Sequence, residues 1–213
     1  MDRTAIILAG DFSNSFGQDM PVLNLNGKPL IRHVVDAVSV IVNEIIIVTD
    51  TQEQAQEYEQ IVGGEVKFAV KPDDANDPLA DALAGLKLAQ GKHSALLSPN
   101  TPFVSPDIID LFFDLCKGKT AVIPRWPDEK IEPLQAVYHT KSALEAARIA
   151  LEEGKSDLSS MIENLGGVRY VSTLVVQELD PELKTFFKVN GPVDLKMAET
   201  MAKPRRIRPV KRR

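Results

Sequence analysis

A three-layer α/β/α domain with a mostly parallel sheet is the fold class the sequence predicts, a Rossmann-like arrangement. Three observations predict it. Strand and helix patterns alternate in strict order from residue 4 to residue 200, the strands are short continuous apolar runs, and the helices open on proline or on a Ser, Thr or Asp cap. Continuous rather than alternating apolar runs suit strands buried on both faces, and parallel strands need a crossover helix between them.

The elements follow in order. Residues 4–8 form a short apolar strand ending at Gly10. Pro29 stands at a first helical position and is followed by Leu30, Val34, Val35, Ala37 and Val38 on one face. Residues 44–48 are the next strand, after which Thr51 caps a Gln/Glu-rich helix to about Val62. Residues 66–70 are a third strand, and Asp77-Pro78 opens a helix with Leu79, Leu83, Leu86 and Leu88 as its apolar positions. Residues 94–97 are a fourth strand, and Ser105-Pro106 begins a helix with Ile108, Ile109, Phe112 and Leu115 inward. Strands at 120–123 and 134–138 flank a Pro-rich turn around Trp126, helices follow at 142–152 and 157–164, a strand at 168–171, and a last helix starts at Pro192.

The 213 residues suffice for one large core, and no linker-like stretch or internal repeat divides residues 1–202. No apolar run approaches the ~18 residues of a membrane span, and the first residues run into a strand with no basic-then-apolar leader, so a cytoplasmic protein with no membrane partner is expected. Cys116 is the single cysteine, in an apolar helical pattern, and is expected to be a small core hydrophobe. His33, His93 and His139 do not cluster in sequence and have no metal-ligand spacing. Residues 203–213 form a basic tail with seven positive charges and none negative, so the other 202 residues carry −12 against the whole chain's −5. So acidic a body argues against nucleic acid as its partner, and the tail reads as a solvated terminus.

In an open parallel sheet the ligand binds beyond the carboxyl ends of the strands. The loops to inspect are therefore at 10–20, 50, 71–77, 99–102 and 125–132. The first begins Leu8-Ala9-Gly10, where glycine lets backbone N–H groups approach an anion closely.

Read together, these loops resemble a known family. Leu8-Ala9-Gly10, Ser13, Gly17, Asp19 and Leu25-Asn26-Gly27-Lys28-Pro29-Leu30 look like the signature of sugar-phosphate-type nucleotidyltransferases. Within them the best match is the MobA group, the molybdenum cofactor guanylyltransferases. Asp77-Pro78-Leu79-Ala80 resembles its Gly-Pro-Leu-Ala turn, and Ser98-Pro99-Asn100-Thr101-Pro102 its metal turn. Glu132 to Tyr138 is similar to a strand between them, and Phe187 to Leu195 to the terminal motif. The resemblance implies transfer of GMP from GTP to molybdopterin with Mg²⁺. It places Leu8, Ala9, Gly10, Ser13, Gly17, Asp19, Pro78 and Leu79 at the nucleotide and Asn100 at the metal, with Pro133 and Asn190 on the acceptor side. Asp50, ending the second strand, reads as a base or ribose contact or as helix-entry chemistry, and Asp73 and Asp74 lie near where the family places an acid beside guanosine. Trp126 reads as a stacking partner for a pterin or as a loop anchor, and Asn100 alternatively as a turn that caps the next helix.

The chain departs from the family where charge is expected. Asp11 replaces a glycine, Ser15 an arginine, Met20 a lysine, Asn100 an aspartate, Asp77 and Asp81 two glycines, and Lys188 an asparagine. Loss of one preorganised charge-stabilising donor costs ~10²–10³ in rate, so no residue is assigned as catalytic. Three readings follow: a guanylyltransferase in which Lys28, Lys71 or Arg125 substitutes for the missing cations, a relative using another nucleotide or acceptor such as a cytidylyltransferase, and a non-catalytic nucleotide- or partner-binding relative.

Overall fold

The computed structural model describes residues 2–10, 19–71 and 77–203. Strand β1 (Arg3–Leu8) leads to a 3-10 turn at Met20–Val22 and a small hairpin, β2 (Asn24–Leu25) with β3 (Lys28–Pro29). Asn26 and Gly27 turn this hairpin with φ of 53° and 82°. An Asn-Gly pair favours such a primed turn because both residues tolerate positive φ. Helix α1 (Leu30–Val38), β4 (Glu44–Thr49), α2 (Gln52–Val62), β5 (Val66–Val70) and α3 (Pro78–Leu88) follow. Then come β6 (His93–Leu97), α4 (Pro106–Leu115), β7 (Ala121–Arg125), β8 (Ala136–His139), α5 (Thr140–Glu152), α6 (Leu158–Glu163), β9 (Val168–Ser172), α7 (Thr173–Val176) and α8 (Pro192–Met201).

Seven strands form one sheet in the order β5-β4-β1-β6-β8-β7-β9, parallel except for β8, which runs against both of its neighbours. On one face α1, α2 and α4 bury Ile31, Val34, Tyr58, Ile108 and Phe112 against Ile7, Ile47 and Leu97. On the other, α3, α5 and α6 bury Leu79, Leu86, Ala147 and Met161 against Ile6, Val48 and Tyr138. The inner strands β1, β4 and β6 are covered on both faces, which is why their sequences read as apolar runs, whereas the edge strands β5 and β9 are only partly buried. The expected caps are in place: Thr51, Asp77, Ser105 and Asp157 each accept an amide proton of their own helix.

Two boundaries differ from the sequence expectation. The strand expected at 134–138 starts at Ala136, because Gln135 is fully buried with φ 55° and its amide faces Thr101 Oγ1 at 3.1 Å. The helix expected from 142 begins two residues earlier, at Thr140, because His139 rather than a hydroxyl residue caps it. Cys116 is buried as expected, and burial pushes its thiol up to about 11. Among the described residues no helix is long and apolar enough to cross a membrane.

Candidate functional site

The carboxyl ends of β1, β4, β5 and β6 and the amino end of α3 form one edge of the sheet. Leu8 and Ala9 are buried there, and the Ala9 amide donates to the Val48 carbonyl at 2.9 Å. Gly10 follows in a close approach: a Cβ at that position would lie 2.5 Å from Asp50 Oδ1 and 3.1 Å from Asp81 Oδ2. A side chain here would have to displace those carboxylates.

Asp50 and Lys71 are the first residues beyond β4 and β5, so the parallel register Thr49–Val70 sets them side by side. Lys71 Nζ lies 2.6 Å from Asp50 Oδ1 and 3.8 Å from Asp81 Oδ1. The Lys71 and Asp81 side chains are only 6% and 7% exposed. Asp81, which stands at a family glycine, thus feeds a buried Asp50–Lys71–Asp81 cluster against Gly10. The other two candidate cations are committed elsewhere. Lys28 pairs with Asp36 at 2.5 Å, and Arg125 pairs with Glu129 at 2.8 Å while lying over the Tyr170 ring. Of the three, Lys71 alone stands beside Gly10.

Asp19 is held by α2. Its carboxylate accepts from the Tyr58 hydroxyl and from Gln54 Nε2, while Gln54 Oε1 accepts the Asp50 amide at 2.9 Å. Burial and the Asp19 charge hold the Tyr58 phenol well above its ordinary value, so it stays a proton donor. A hydrogen-bonded chain therefore links Asp19 to the backbone of Asp50. Met20 turns inward: it is 5% exposed and packs with Leu23, Leu25, Leu30, Val189 and Ala198, with Phe103, Phe187 and Leu195 beside them. Met20, expected at the position of a lysine, is a core residue in this chain. Pro78 opens α3 and Leu79 is fully buried. The first amides of that helix are already used, Ala80 N by the Asp77 carboxylate at 2.6 Å and Leu79 N by the Ser156 carbonyl at 3.3 Å.

The other half of the edge is neutral. Asn100 is 2% exposed, and its Oδ1 accepts from Ser98 Oγ at 2.5 Å. Its Nδ2 donates to the Val189 carbonyl at 3.2 Å and to Asn190 Oδ1 at 3.0 Å, and its own carbonyl accepts the Val189 amide at 2.9 Å. The structure thus joins Asn100 and Asn190, expected on the metal and acceptor sides, into one clamp. The Asn190 amide donates in turn to Asp194 Oδ2 at 2.8 Å. The helix after this turn is capped by Ser105, not by Asn100.

These donors do not fit a dedicated Mg²⁺ site. Mg²⁺ takes hard oxygens and is usually held by one or two carboxylates, whereas both amide oxygens of this clamp already accept hydrogen bonds. Among the described residues no group of three or more His, Cys, Asp or Glu converges in a way that could hold a metal ion.

Trp126 anchors its loop. Its Nε1 donates to Glu132 Oε1 at 3.2 Å and its ring meets Phe186 edge-on at 5.7 Å. Glu132 also takes the Lys188 ammonium at 2.8 Å, so the substituted terminal motif is tied to the same loop. Pro133 offers its carbonyl to the Tyr138 hydroxyl at 2.7 Å. Asp11, Ser13, Ser15, Gly17, Asp73 and Asp74 lie outside the described residues. Sequence reasoning missed Asp81 and Gln54 as contributors to this edge. Asp81 carried one signal, a carboxylate where a glycine is expected, and Gln54 carried none.

Comparison with known proteins bears on the family and the fold. The model of the MobA-like NTP transferase domain matches residues 5–168. The "Probable molybdenum cofactor guanylyltransferase" of Methanosarcina mazei is 30% identical over 91% of this chain and 88% of its own length. The crystal structure of molybdopterin-guanine dinucleotide biosynthesis protein A from Archaeoglobus fulgidus superposes with a TM-score of 0.78 at 26% identity, over 93% of this chain and 97% of that one. The 2-C-methyl-D-erythritol 4-phosphate cytidylyltransferase of Thermus thermophilus shares the fold, with a TM-score of 0.69 at 18% identity over 94% and 98% of the two chains. By the family match over residues 5–168, the chain belongs to the MobA-like NTP transferase family.

Proposed function

We propose that this protein transfers GMP from GTP to molybdopterin, with the guanosine nucleotide held at the edge formed by Gly10, Asp50 and Lys71. The observation that carries this reading is the family match through residues 5–168, joined to a glycine that lets the Asp50 and Asp81 carboxylates close against the end of β1. In the reaction a phosphate oxygen of the acceptor attacks the α-phosphorus of GTP. A new P–O bond forms there, and the bond to the β-phosphate oxygen breaks to release pyrophosphate. The chain's own contribution is to bind and orient. The Leu8 and Ala9 segment, tied to β4 by the Ala9 amide, brings Gly10 to the edge, Asp50 and Asp19 are held by the Gln54 chain, and Lys71 is the cation within that group.

We further propose that turnover is slow. Two features support this: Met20 is packed in a core at the lysine position, and the Asn100 oxygen is neutral and already bonded. Preorganised charge is the largest single contribution to such catalysis, and here Lys71 must serve two carboxylates before it can serve a phosphate.

The test is thermal denaturation with GTP, CTP or ATP, followed by an assay for the dinucleotide product with molybdopterin. Ligand at 100 times its Kd adds about 2.7 kcal/mol. A shift with GTP and formation of the guanine dinucleotide support the proposal. A shift confined to CTP would replace it with cytidylyl transfer, and GTP binding without product would make this a nucleotide-binding relative.

A further inference from the structure

A second candidate site lies at the opposite edge of the sheet, where β6, β7 and β9 begin and the antiparallel β8 ends. A cavity of about 400 Å³ there is lined by Lys92, His93, Lys119, Thr120, His139 and Ser142, together with glycines 118, 166 and 167. The nearest part of the nucleotide edge is the length of β6 away, roughly 15 Å.

Four features make this cavity receptive to negative charge. First, none of its lining residues is acidic, although the chain as a whole carries −5. Second, Lys92 and Lys119 are exposed at its rim, and neither is in an ion pair with a described residue. Third, it lies at the amino end of α5, a helix of 13 residues whose dipole favours an anion there, with the Thr140 and Ser142 amides bonded to the Lys92 carbonyl and to His139 Nδ1. Fourth, His93 is 8% exposed and lines the cavity, and neither of its ring nitrogens has a hydrogen-bond partner among the described residues. The ring is therefore open to a ligand in the cavity, because no described protein group takes its nitrogens.

The antiparallel register pairs His93 with His139, and their rings meet edge-on at 5.8 Å. His139 Nδ1 accepts the Ser142 amide, which leaves its proton on Nε2, a second donor. Burial holds the His93 imidazole below its ordinary pKa, with His139, Lys92 and Arg3 adding to that effect and Asp2 opposing it. Two ammonium groups nearby and no lining carboxylate disfavour a cation here and suit an oxyanion, to which the two imidazoles can donate.

We propose that the His93–His139 cavity at the amino edge of the sheet binds a phosphate-class oxyanion, independently of the nucleotide edge. A bound dianion supplies the acceptor that His93 lacks and neutralises the lysines that face it.

The test is NMR of the histidine ring protons in the full chain, titrated separately with inorganic phosphate and with pyrophosphate at constant ionic strength. The chain has three histidines, and the third, His33, is bonded to the Leu25 carbonyl on α1, so it serves as the internal control. We expect the His93 and His139 signals to shift saturably and their titration midpoints to rise, while His33 stays unchanged. The stronger of the two titrations identifies a monophosphate or a diphosphate ligand. No shift, a shift reproduced by chloride, or equal movement of all three rings would overturn the proposal. The double variant Lys92→Met with Lys119→Met changes only exposed side chains. It should weaken phosphate binding at least about tenfold, as expected for loss of one charge-assisted hydrogen bond, without altering the GTP-induced thermal shift. Unaltered phosphate affinity in that variant would equally overturn it.

Discussion

The two halves of the carboxyl edge satisfy their polar groups in opposite ways. Around Gly10 the chain uses charge: the Asp50 and Asp81 carboxylates flank the Lys71 ammonium, which is almost wholly buried. Around Asn100 it uses neutral amides: Ser98, Asn100, Asn190 and the Val189 backbone close a clamp with no ion pair between them. The difference matters for a ligand with several negative charges. An ion pair can exchange one partner for a phosphate at modest cost, because the ammonium keeps a counter-charge throughout. A closed amide clamp offers an incoming charge nothing to exchange. One half of this edge therefore carries the exchangeable charge on which the proposed nucleotide site rests, while the other holds α8 and the segment before it against β6.

The comparison is broken most severely at Lys71. Lys71→Met leaves the Asp50 and Asp81 carboxylates facing each other in a largely buried place, and loss of one member of a buried charge group costs about 3–5 kcal/mol. Urea denaturation should show that loss, and a variant of near wild-type stability would mean the cluster is solvated. Next is Met20→Lys, which restores the family's cation at a position packed among Leu25, Leu30 and Val189. The long side chain can lead its charge outward along apolar surface, so a loss of about 2 kcal/mol is expected in the same measurement. A loss near zero would show that the position tolerates charge as readily as the family suggests.

Asn100→Asp sharpens the contrast from the other side. The carboxylate would face the Val189 carbonyl and Asn190 Oδ1, two acceptors that now receive its amide protons. Unfolding should cost about 1–3 kcal/mol less, and added Mg²⁺ should recover part of the difference in a melting experiment only for this variant. Equal Mg²⁺ response in the parent would show that the clamp opens for the metal.

An ion pair away from both halves supplies a reference. Glu44 accepts from Thr4 Oγ1 at 2.6 Å, from Lys67 Nζ at 2.6 Å and from the Gln90 amide at 2.8 Å. Burial raises its pKa, but those three donors outweigh it, so the carboxyl sits below its ordinary value. A lowered carboxyl pKa adds stability that is present above the unfolded value and is lost as pH falls through the folded one. Glu44→Gln should therefore narrow the stability gap between neutral and acidic pH, read from denaturation at both. The smallest effect is expected from removing residues 204–213, which should leave the melting temperature unchanged. A clear drop would show that the tail docks on the acidic body.

Much of the frame was legible because it depends on local rules. Residues 4–8 and 44–48 read as strands because both faces of each are covered, and Thr51, Asp77, Ser105 and Asp157 announced their helices as caps. The Asn26-Gly27 hairpin carried a legible signal that the reading of this segment as motif passed over. The antiparallel β8 was not legible, since an apolar strand has the same composition in either direction. Its start at Ala136 depends on a left-handed Gln135 whose amide meets Thr101, more than thirty residues away.

The candidate site divides along the same line. The sequence by itself determined the family frame, the glycine at the end of β1, and which expected charges are absent, because each is a matter of residue identity at a position in an ordered motif. Only the tertiary structure decided what took their place. Met20 is core because Val189 and Ala198 come back to cover it, Asn100 is a clamp because Asn190 reaches it, and Lys71 is committed because Asp50 and Asp81 converge on it from β4 and α3. His93 and His139, far apart in sequence, become neighbours through strand register alone. Burial and partnership depend on distances between segments remote along the chain, and these distances are properties of the packed chain, not of any window of its residues.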